Sequence, residues 1–363
     1  MTEARIESLR TRVVLVPLKR PLGTGSGSIE RVPLVLADLT TSDGVTGSSY
    51  IFVPNPLAAR PTAQLIDNAA QIIVGQAAEP LTIEALLARR FRLLGVLGLV
   101  QYAIAAIDMA LWDAFAKARG LPLAKALGAG LAATPAYDSR GLGLQGEAAV
   151  LAEADSMLAE SGLSAIKLRL GYASSSEDVA VARALRRALP SSVHLMTDYN
   201  QCLLPAQAAE RAQALDDLGL AWIEEPTLAH DHAGHAALAR NTVTPIQLGE
   251  NFEGPRDMAR ALAAGACDLA MPDLMRIGGV TGWIRAAALA DAVQMPMSSH
   301  VFPEFSAHCL AATPTAHWLE YMDWAEPILA EPLELRDGKA WPSARPGAGI
   351  AWDEDAVRRY LMS

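Results

Sequence analysis

An α/β fold closing into a barrel of eight parallel strands is what this sequence predicts, on three observations. The chain has 363 residues, 51% apolar and 19% charged, which gives it apolar surface for one large core or two ordinary ones. From about Thr134 onward, short apolar runs alternate with Ala-rich helical patterns, the rhythm of repeated βα units. Eight of those runs end in polar residues, at Ser139, Lys167 to Arg169, Asp198, Glu224, Glu250, Asp273, His300 and Glu320, spaced 20 to 31 residues apart. Such intervals fit one strand plus one crossover. An open doubly wound sheet would not place a reactive polar residue at eight successive strand ends, whereas a barrel gathers those ends at one mouth.

The part before Thr134 reads as α+β. Arg12–Leu18 and Val32–Leu39 are strand-like, and Ser42-Asp43-Gly44 supplies a hairpin turn before a third strand, Val45–Phe52. Helical spacing follows over Pro61–Val74, Thr82–Leu94 and Gln101–Arg119, the last stopped by Gly120. The window Leu93–Ala116 is the most hydrophobic, but Gln101, Asp108 and Asp113 interrupt it, so it is expected as a buried helix with its preceding loop rather than a membrane span. Within the barrel, Gln145–Glu160, Glu177–Leu189 and Ala206–Leu218 are expected helices, and the short last interval predicts a reduced or missing final crossover helix. The division expected is residues 1–128, residues 129–325, and a Pro-rich tail over 326–363 whose Trp341 and Trp352 pack back on the first part.

Charge and cysteine usage narrow the function. Thirty Lys and Arg against 40 Asp and Glu give a net charge of −10 without a basic run, which disfavours nucleic acid and anionic membrane and favours small molecules or metal cations. Cys202, Cys267 and Cys309 form no CxxC, so neither a disulfide framework nor a thiolate zinc site is expected, and a reducing cytoplasm fits. Met1–Leu22 has no continuous apolar stretch and is not read as a signal peptide.

The strand ends carry the chemistry. Asp198, Glu224 and Glu250 are each 26 residues apart, and three carboxylates at one mouth repel one another unless a hard divalent cation compensates them. Oxygen-only ligation favours Mg²⁺ over zinc. Taken singly, each acid could instead cap a helix or pair with a base. Lys167 and Arg169 are two apart on "AIKLRL" and so share one strand face. Lys167 is suited to act as a base or to bind an anionic substrate group, while Arg169 resists deprotonation and defaults to an electrostatic role. His300 and Asp273 end neighbouring strands and can form a dyad in which the carboxylate orients the imidazole for proton transfer. Glu320 is expected to stay protonated in a desolvated site and donate to a developing oxyanion, or else to be a further metal ligand.

Two motifs fail their context. "GTGSGS" (Gly23–Ser28) resembles a phosphate loop, but a strand pattern rather than a helix follows, so a mobile lid is expected. "HDHAGH" gathers His230, His232 and His235, but the first barrel strand reads "AYDS" and offers no HxH partner, so a solvated loop is expected.

With these positions in hand, "AIDMALWDA" (Ala106–Ala114), "DYNQ" (Asp198–Gln201), "WIEEPT" (Trp222–Thr227), "MPD" with "IGGVTGWIRA" (Met271–Ala286), "PMSSH" (Pro296–His300) and "AATPTAHWLE" (Ala311–Glu320) resemble the enolase superfamily, within it the mandelate racemase subgroup. The resemblance runs nearly end to end. It implies an α+β capping domain with a lid loop over a modified (β/α)7β TIM-like barrel, Mg²⁺ on Asp198, Glu224 and Glu250, and Glu320 as electrophilic acid. It further implies Lys167 against the substrate carboxylate, Ser139 and Asn200 as polar substrate partners, and Leu22 and Ile29 as lid residues lining the pocket. The activity implied is abstraction of the α-proton of a 2-hydroxycarboxylate through an enediolate, for racemisation, with acid-sugar dehydration by the His300/Asp273 dyad as the alternative and a noncatalytic binding barrel as the rival of another class. A racemase of this subgroup takes its second base from a KxK motif, and here Arg169 stands in that place. Pro54 stands where the subgroup has a pocket tyrosine. A homo-oligomer is implied, an octamer among its forms.

Overall fold

The structure is a computed structural model and describes residues 4–362; Met1–Glu3, which open the N-terminal stretch read above, and Ser363 lie outside the described residues. Three antiparallel strands come first, β1 (Ile6–Thr24), β2 (Gly27–Thr41) and β3 (Thr46–Phe52), with β2 in the middle. β1 runs past its expected end because its register shifts between Pro17 and Leu22, so four residues bulge out of the ladder and pairing resumes at Leu22 with Ile29. Gly23–Ser28 is therefore the tip of a hairpin, with Thr24 opposite Gly27.

Three helices follow: α1 (Pro56–Ile73), α2 (Pro80–Arg90) and α3 (Gly98–Lys117). α1 begins five residues before the expected Pro61, since Asn55 caps it by accepting from the Leu57 N–H at 3.0 Å and Pro56 fills the first position. α3 is long and apolar enough to cross a membrane, but 83% of its apolar window is buried inside the fold. It lies against β3 so closely that a Cβ on Gly47 would fall 2.0 Å from the Ala110 carbonyl oxygen.

The two acids that interrupt the apolar pattern of α3 are its anchors. Asp113 accepts from Ser48 N–H at 2.8 Å and Ala348 N–H at 2.7 Å, tying sheet to tail. Asp108 accepts from the backbone N–H of Thr281 at 2.9 Å and from its hydroxyl at 2.5 Å, tying α3 to the barrel helix Gly279–Ala292. Burial pushes the Asp108 carboxyl up to about 7, against the pull of the Thr281 hydrogen bonds. A carboxyl raised in the folded state stabilises the fold fully below its unfolded value of 3.8, and that contribution is lost as pH climbs through about 7. Asp108→Asn, neutral throughout and still an acceptor for Thr281 N–H, is expected to lose less Tm than the wild type between about pH 5 and pH 8. Parallel Tm-against-pH curves for the two proteins would refute this.

The parallel strands are β4 (Thr134–Asp138), β5 (Ala165–Arg169), β6 (His194–Asp198), β7 (Ile223–Glu224), β8 (Ile246–Leu248) and β9 (Leu269–Ala270), paired in that order. The seventh position is held by single bridges, Ala270 to Met297 and Asp273 to His300, and β10 (Leu319–Tyr321) closes the barrel on β4. The last crossover keeps a helix of nine residues, Pro303–Ala311. An N-terminal α+β capping unit on a C-terminal α/β barrel is thus the fold.

The tail divides between the two. Its hairpin of β11 (Glu334–Arg336) and β12 (Lys339–Trp341) pairs with β4, so Trp341 packs at the barrel and not on the first part as expected. Further on, Trp352 donates its indole N–H to Asp38 at 2.8 Å and Met362 N–H bonds the Val13 carbonyl, both on the cap sheet.

Candidate active site

All eight anticipated strand ends meet at the C-terminal mouth of the barrel, though Glu250 sits on a turn just past its strand and Asp273 and His300 are joined only by an isolated bridge. Gly249 makes one of those turns. Its φ is +144°, and a Cβ there would lie 2.7 Å from the Met271 backbone.

Asp198, Glu224 and Glu250 bring one ligand oxygen each to within 4.8 Å of one another, the one cluster of this kind among the described residues. Burial and then the Asp198 charge drive the Glu224 carboxyl well above the usual carboxylate range. An all-oxygen anionic set with no sulfur or imidazole suits a hard cation such as Mg²⁺. Asn200 steadies Asp198 through its backbone N–H at 2.7 Å and its amide at 3.0 Å, leaving its own Oδ1 without a protein partner. The expected Asn200 is therefore in the site, holding a carboxylate as well as facing the cavity.

Lys167 stands among acids, 2.8 Å from Glu320, 3.0 Å from Glu224 and 3.2 Å from Asp198. Burial opposes its charge, but Glu224 and Glu320 outweigh burial and raise its pKa well above the ordinary lysine value. An ammonium among these acids suits the anion-binding reading. Arg169, on the same strand face, donates to the carbonyl oxygens of Ser139 and Gly141 and to the Ser139 hydroxyl, each at 2.8 Å. The Ser139 hydroxyl in turn donates a hydrogen bond to Glu320 at 2.7 Å.

Glu320 lies between Lys167 at 2.8 Å and His300 Nε2 at 3.8 Å. Burial alone would have kept it protonated, but Lys167 and His300 overcome burial and hold it well below the usual carboxylate range. Both its oxygens are acceptors, the second from Val301 N–H at 2.9 Å.

Across the site, His300 Nδ1 lies 2.6 Å from Asp273 Oδ2, and the other Asp273 oxygen accepts from Arg276 N–H at 3.0 Å, capping the short helix Leu274–Ile277. One carboxylate thus fixes both the imidazole and the next element. His300 Nε2 faces the acids, 3.3 Å from Glu250 and 3.8 Å from Glu320. Burial disfavours the imidazolium, but Glu250, Glu320 and Asp273 prevail and raise its pKa to about 10. A divalent cation on Glu250 would offset that pull and release a neutral imidazole. The backbone after His300 passes through positive φ at Val301 (+50°) and Phe302 (+48°), strain of the kind that clusters at functional sites.

The cavity holds about 210 Å³, and the cap supplies its roof through Leu22, Ile29, Phe52 and Pro54. The Ser26 hydroxyl donates to the Asn200 carbonyl at 2.5 Å, so the hairpin tip rests on the mouth. Hollows of about 450 and 550 Å³ open along the tail and at the seam of cap and barrel, but neither gathers the three acids and the imidazole. The histidine trio is not the solvated loop expected. Only His230 is exposed, on the turn before the helix His232–Asn241; His232 begins that helix, and His235 is buried in it with Nδ1 3.0 Å from the Asp231 carbonyl, because the helix packs its inner face on the barrel.

Sequence reasoning missed Glu225 and Asn251. Glu225 is buried and pushed well up by burial and Glu250, and the Asn251 amide joins it at 2.7 Å to Glu250 at 3.1 Å. The signal was the second acid of "WIEEPT".

Comparison with known proteins agrees with this geometry. Residues 6–128 match the mandelate racemase/muconate lactonizing enzyme N-terminal domain, and residues 149–356 match the enolase C-terminal domain-like family. L-talarate/galactarate dehydratase of Salmonella typhimurium is 32% identical over 98% of this chain and 91% of its own. A 3,6-anhydro-α-L-galactonate cycloisomerase of Streptomyces coelicolor is 33% identical over 98% and 99%. A solved enolase from Bradyrhizobium, complexed with magnesium and mandelic acid, superposes with a TM-score of 0.96 at 44% identity, all of both chains being covered. The cofactor is Mg²⁺, and the chemistry is Mg²⁺-dependent proton abstraction. Two domain models that between them span most of the chain, over a barrel mouth with this disposition of acids, lead to one conclusion: the chain belongs to the enolase superfamily, on its mandelate racemase/muconate lactonizing enzyme branch.

Proposed function

We propose that this protein dehydrates an acid sugar: His300 removes the proton α to a carboxylate and the β-hydroxyl leaves as water. The observation that carries this reading is the asymmetry of the site. One group is an imidazole oriented by Asp273; Arg169, in the place of a second base, has its two terminal nitrogens donating to two carbonyls and a hydroxyl, with Nε buried and without a partner. An arginine so placed is a poor base. Elimination needs one base that becomes the acid, whereas racemisation needs two.

In this reading Asp198, Glu224 and Glu250 hold Mg²⁺, which when bound supplies positive charge to the substrate carboxylate. Asp273 keeps the Nδ1 proton of His300 in place, leaving Nε2 free to take the α-proton. The Lys167 ammonium stabilises the charge that builds on the carboxylate. The C–H electron pair passes into the carboxylate as an enediolate and then returns to form the Cα–Cβ double bond as the C–O bond breaks, and the proton taken by His300 leaves with the hydroxide. The enol formed tautomerises to a 2-keto-3-deoxy acid. The same reading assigns 1–128 to the cap, 129–325 to the catalytic barrel and 326–363 to the tail.

Racemisation of an aryl-substituted 2-hydroxy acid is the second reading, favoured by the apolar wall of Leu22, Ile29, Phe52, Pro54, Met322 and Trp324. Incubating acid sugars and each enantiomer of mandelate in D₂O with Mg²⁺ separates the two. The expected result is 2-keto acid from an acid sugar and, from mandelate, exchange of one enantiomer without inversion. Inversion of mandelate without any keto acid would replace dehydration by racemisation.

A further inference from the structure

Three Lys and Arg side chains line the active-site cavity, Lys167, Arg169 and Arg276, and the first two have partners within the protein. Lys167 stands against three carboxylates, and Arg169 makes three hydrogen bonds to the loop after β4. Arg276 differs. Its guanidinium has no ion pair and no hydrogen bond among the described residues, and it lies 5.6 Å from the centre of the Tyr102 ring on α3.

The main chain of Arg276 is nevertheless fixed on both sides. Its N–H goes to Asp273 at 3.0 Å and its carbonyl accepts from Gly254 N–H at 3.1 Å. The arginine that lacks an anion is therefore mounted on the same short helix whose cap orients the catalytic imidazole. A half-buried guanidinium beside an apolar wall of Met275, Phe52 and Trp324 gives up hydration without gaining a protein partner. Its planar fork matches a carboxylate in two-point contact.

We infer that Arg276 is a specificity-determining residue that takes a second carboxylate of the substrate, at the end remote from the reacting carbon, so that the substrates are 2-hydroxy diacids. This rests on the proposed dehydration, because it presumes that the reacting carboxylate lies at the acid cluster. The small cavity suits such a molecule, anchored at both ends and gripped between two cationic groups, with Thr24, Ser26, Gln201 and Asn251 available to hydroxyls.

The test pairs a six-carbon aldarate with the matching aldonate, which differs only in lacking the second carboxylate. For the wild type, kcat/KM is expected to favour the aldarate. Arg276→Met should lower that value about 100-fold, chiefly through KM, and leave the aldonate within about threefold. Arg276→Lys, a point charge without the fork, should fall between. Equal losses on both acids, or a wild type indifferent to the second carboxylate, would overturn the inference. Binding is read separately by calorimetry with Mg²⁺ in a His300→Asn background, where no turnover intervenes. Weaker aldarate binding on adding Arg276→Met supports the assignment even if the wild type yields no keto acid, an outcome that would remove the dehydration reading alone. Unchanged aldarate affinity there refutes the role of Arg276.

Discussion

Replacing His300 with Asn lowers kcat by at least about 10³-fold and abolishes solvent deuterium incorporation at the α-carbon, while Mg²⁺ binding persists. The expectation follows from position. The imidazole is the one group whose orientation is fixed on its far side, by Asp273 at 2.6 Å, while its Nε2 looks into the cavity. Asparagine keeps a polar side chain of similar reach but has no site for a proton at neutral pH. Asp273→Asn tests the other half of the dyad. Its Oδ1 still accepts from Arg276 N–H, so the helix Leu274–Ile277 keeps its cap, but the new amide donates toward Nδ1 and imposes the opposite tautomer. A loss on the order of 10²- to 10⁴-fold in kcat with a small change in KM is expected. Proton exchange in D₂O by His300→Asn at the wild-type rate would end the assignment.

What the amino-acid order disclosed, and what it concealed, divides along a physical line. Lys167 and Arg169 share a face because strand alternation has period two, and the eight polar ends converge because parallel strands in a barrel must point the same way. Those are properties of local sequence and topology. Glu225 violates the same alternation. It follows Glu224 directly and should face away from the mouth, but φ at Glu225 is +35°, so the strand ends there and the chain turns. The pairing of Glu320 with Lys167 was equally hidden, because the two are far apart in sequence but 2.8 Å apart in space. A desolvated carboxyl and a desolvated ion pair look alike in sequence. The hairpin at Gly23–Ser28 escaped for a third reason: the bulge between Pro17 and Leu22 interrupts the alternating pattern, so the strand was read as stopping at Leu18.

Mg²⁺ should stabilise the folded protein as well as activate it, and the acid cluster explains by how much. Asp198, Glu224 and Glu250 lie within one 4.8 Å cluster, with Glu225 and Glu320 beside them and the Lys167 ammonium among them. A folded chain thus holds crowded carboxylates that the unfolded chain would let apart, and a ligand that binds only the folded arrangement stabilises it by mass action. At 100 times its dissociation constant the gain is about 2.7 kcal/mol, or about 3.5 °C in Tm for a protein of this size. A chelator should reverse the shift and remove activity, and added Mg²⁺ should restore both. Glu224→Gln sharpens the test. It keeps the side-chain volume and trades a charge that burial and Asp198 disfavour against the pairing with Lys167 at 3.0 Å, so its Tm without metal should stay close to that of the wild type. The same substitution takes away a ligand oxygen's charge, so the Mg²⁺-dependent rise should shrink to below about 1 °C and kcat should fall at least about 10³-fold. A full Mg²⁺ shift in Glu224→Gln would place the cation elsewhere, and wild-type activity that survives chelation would detach the acid cluster from the reaction.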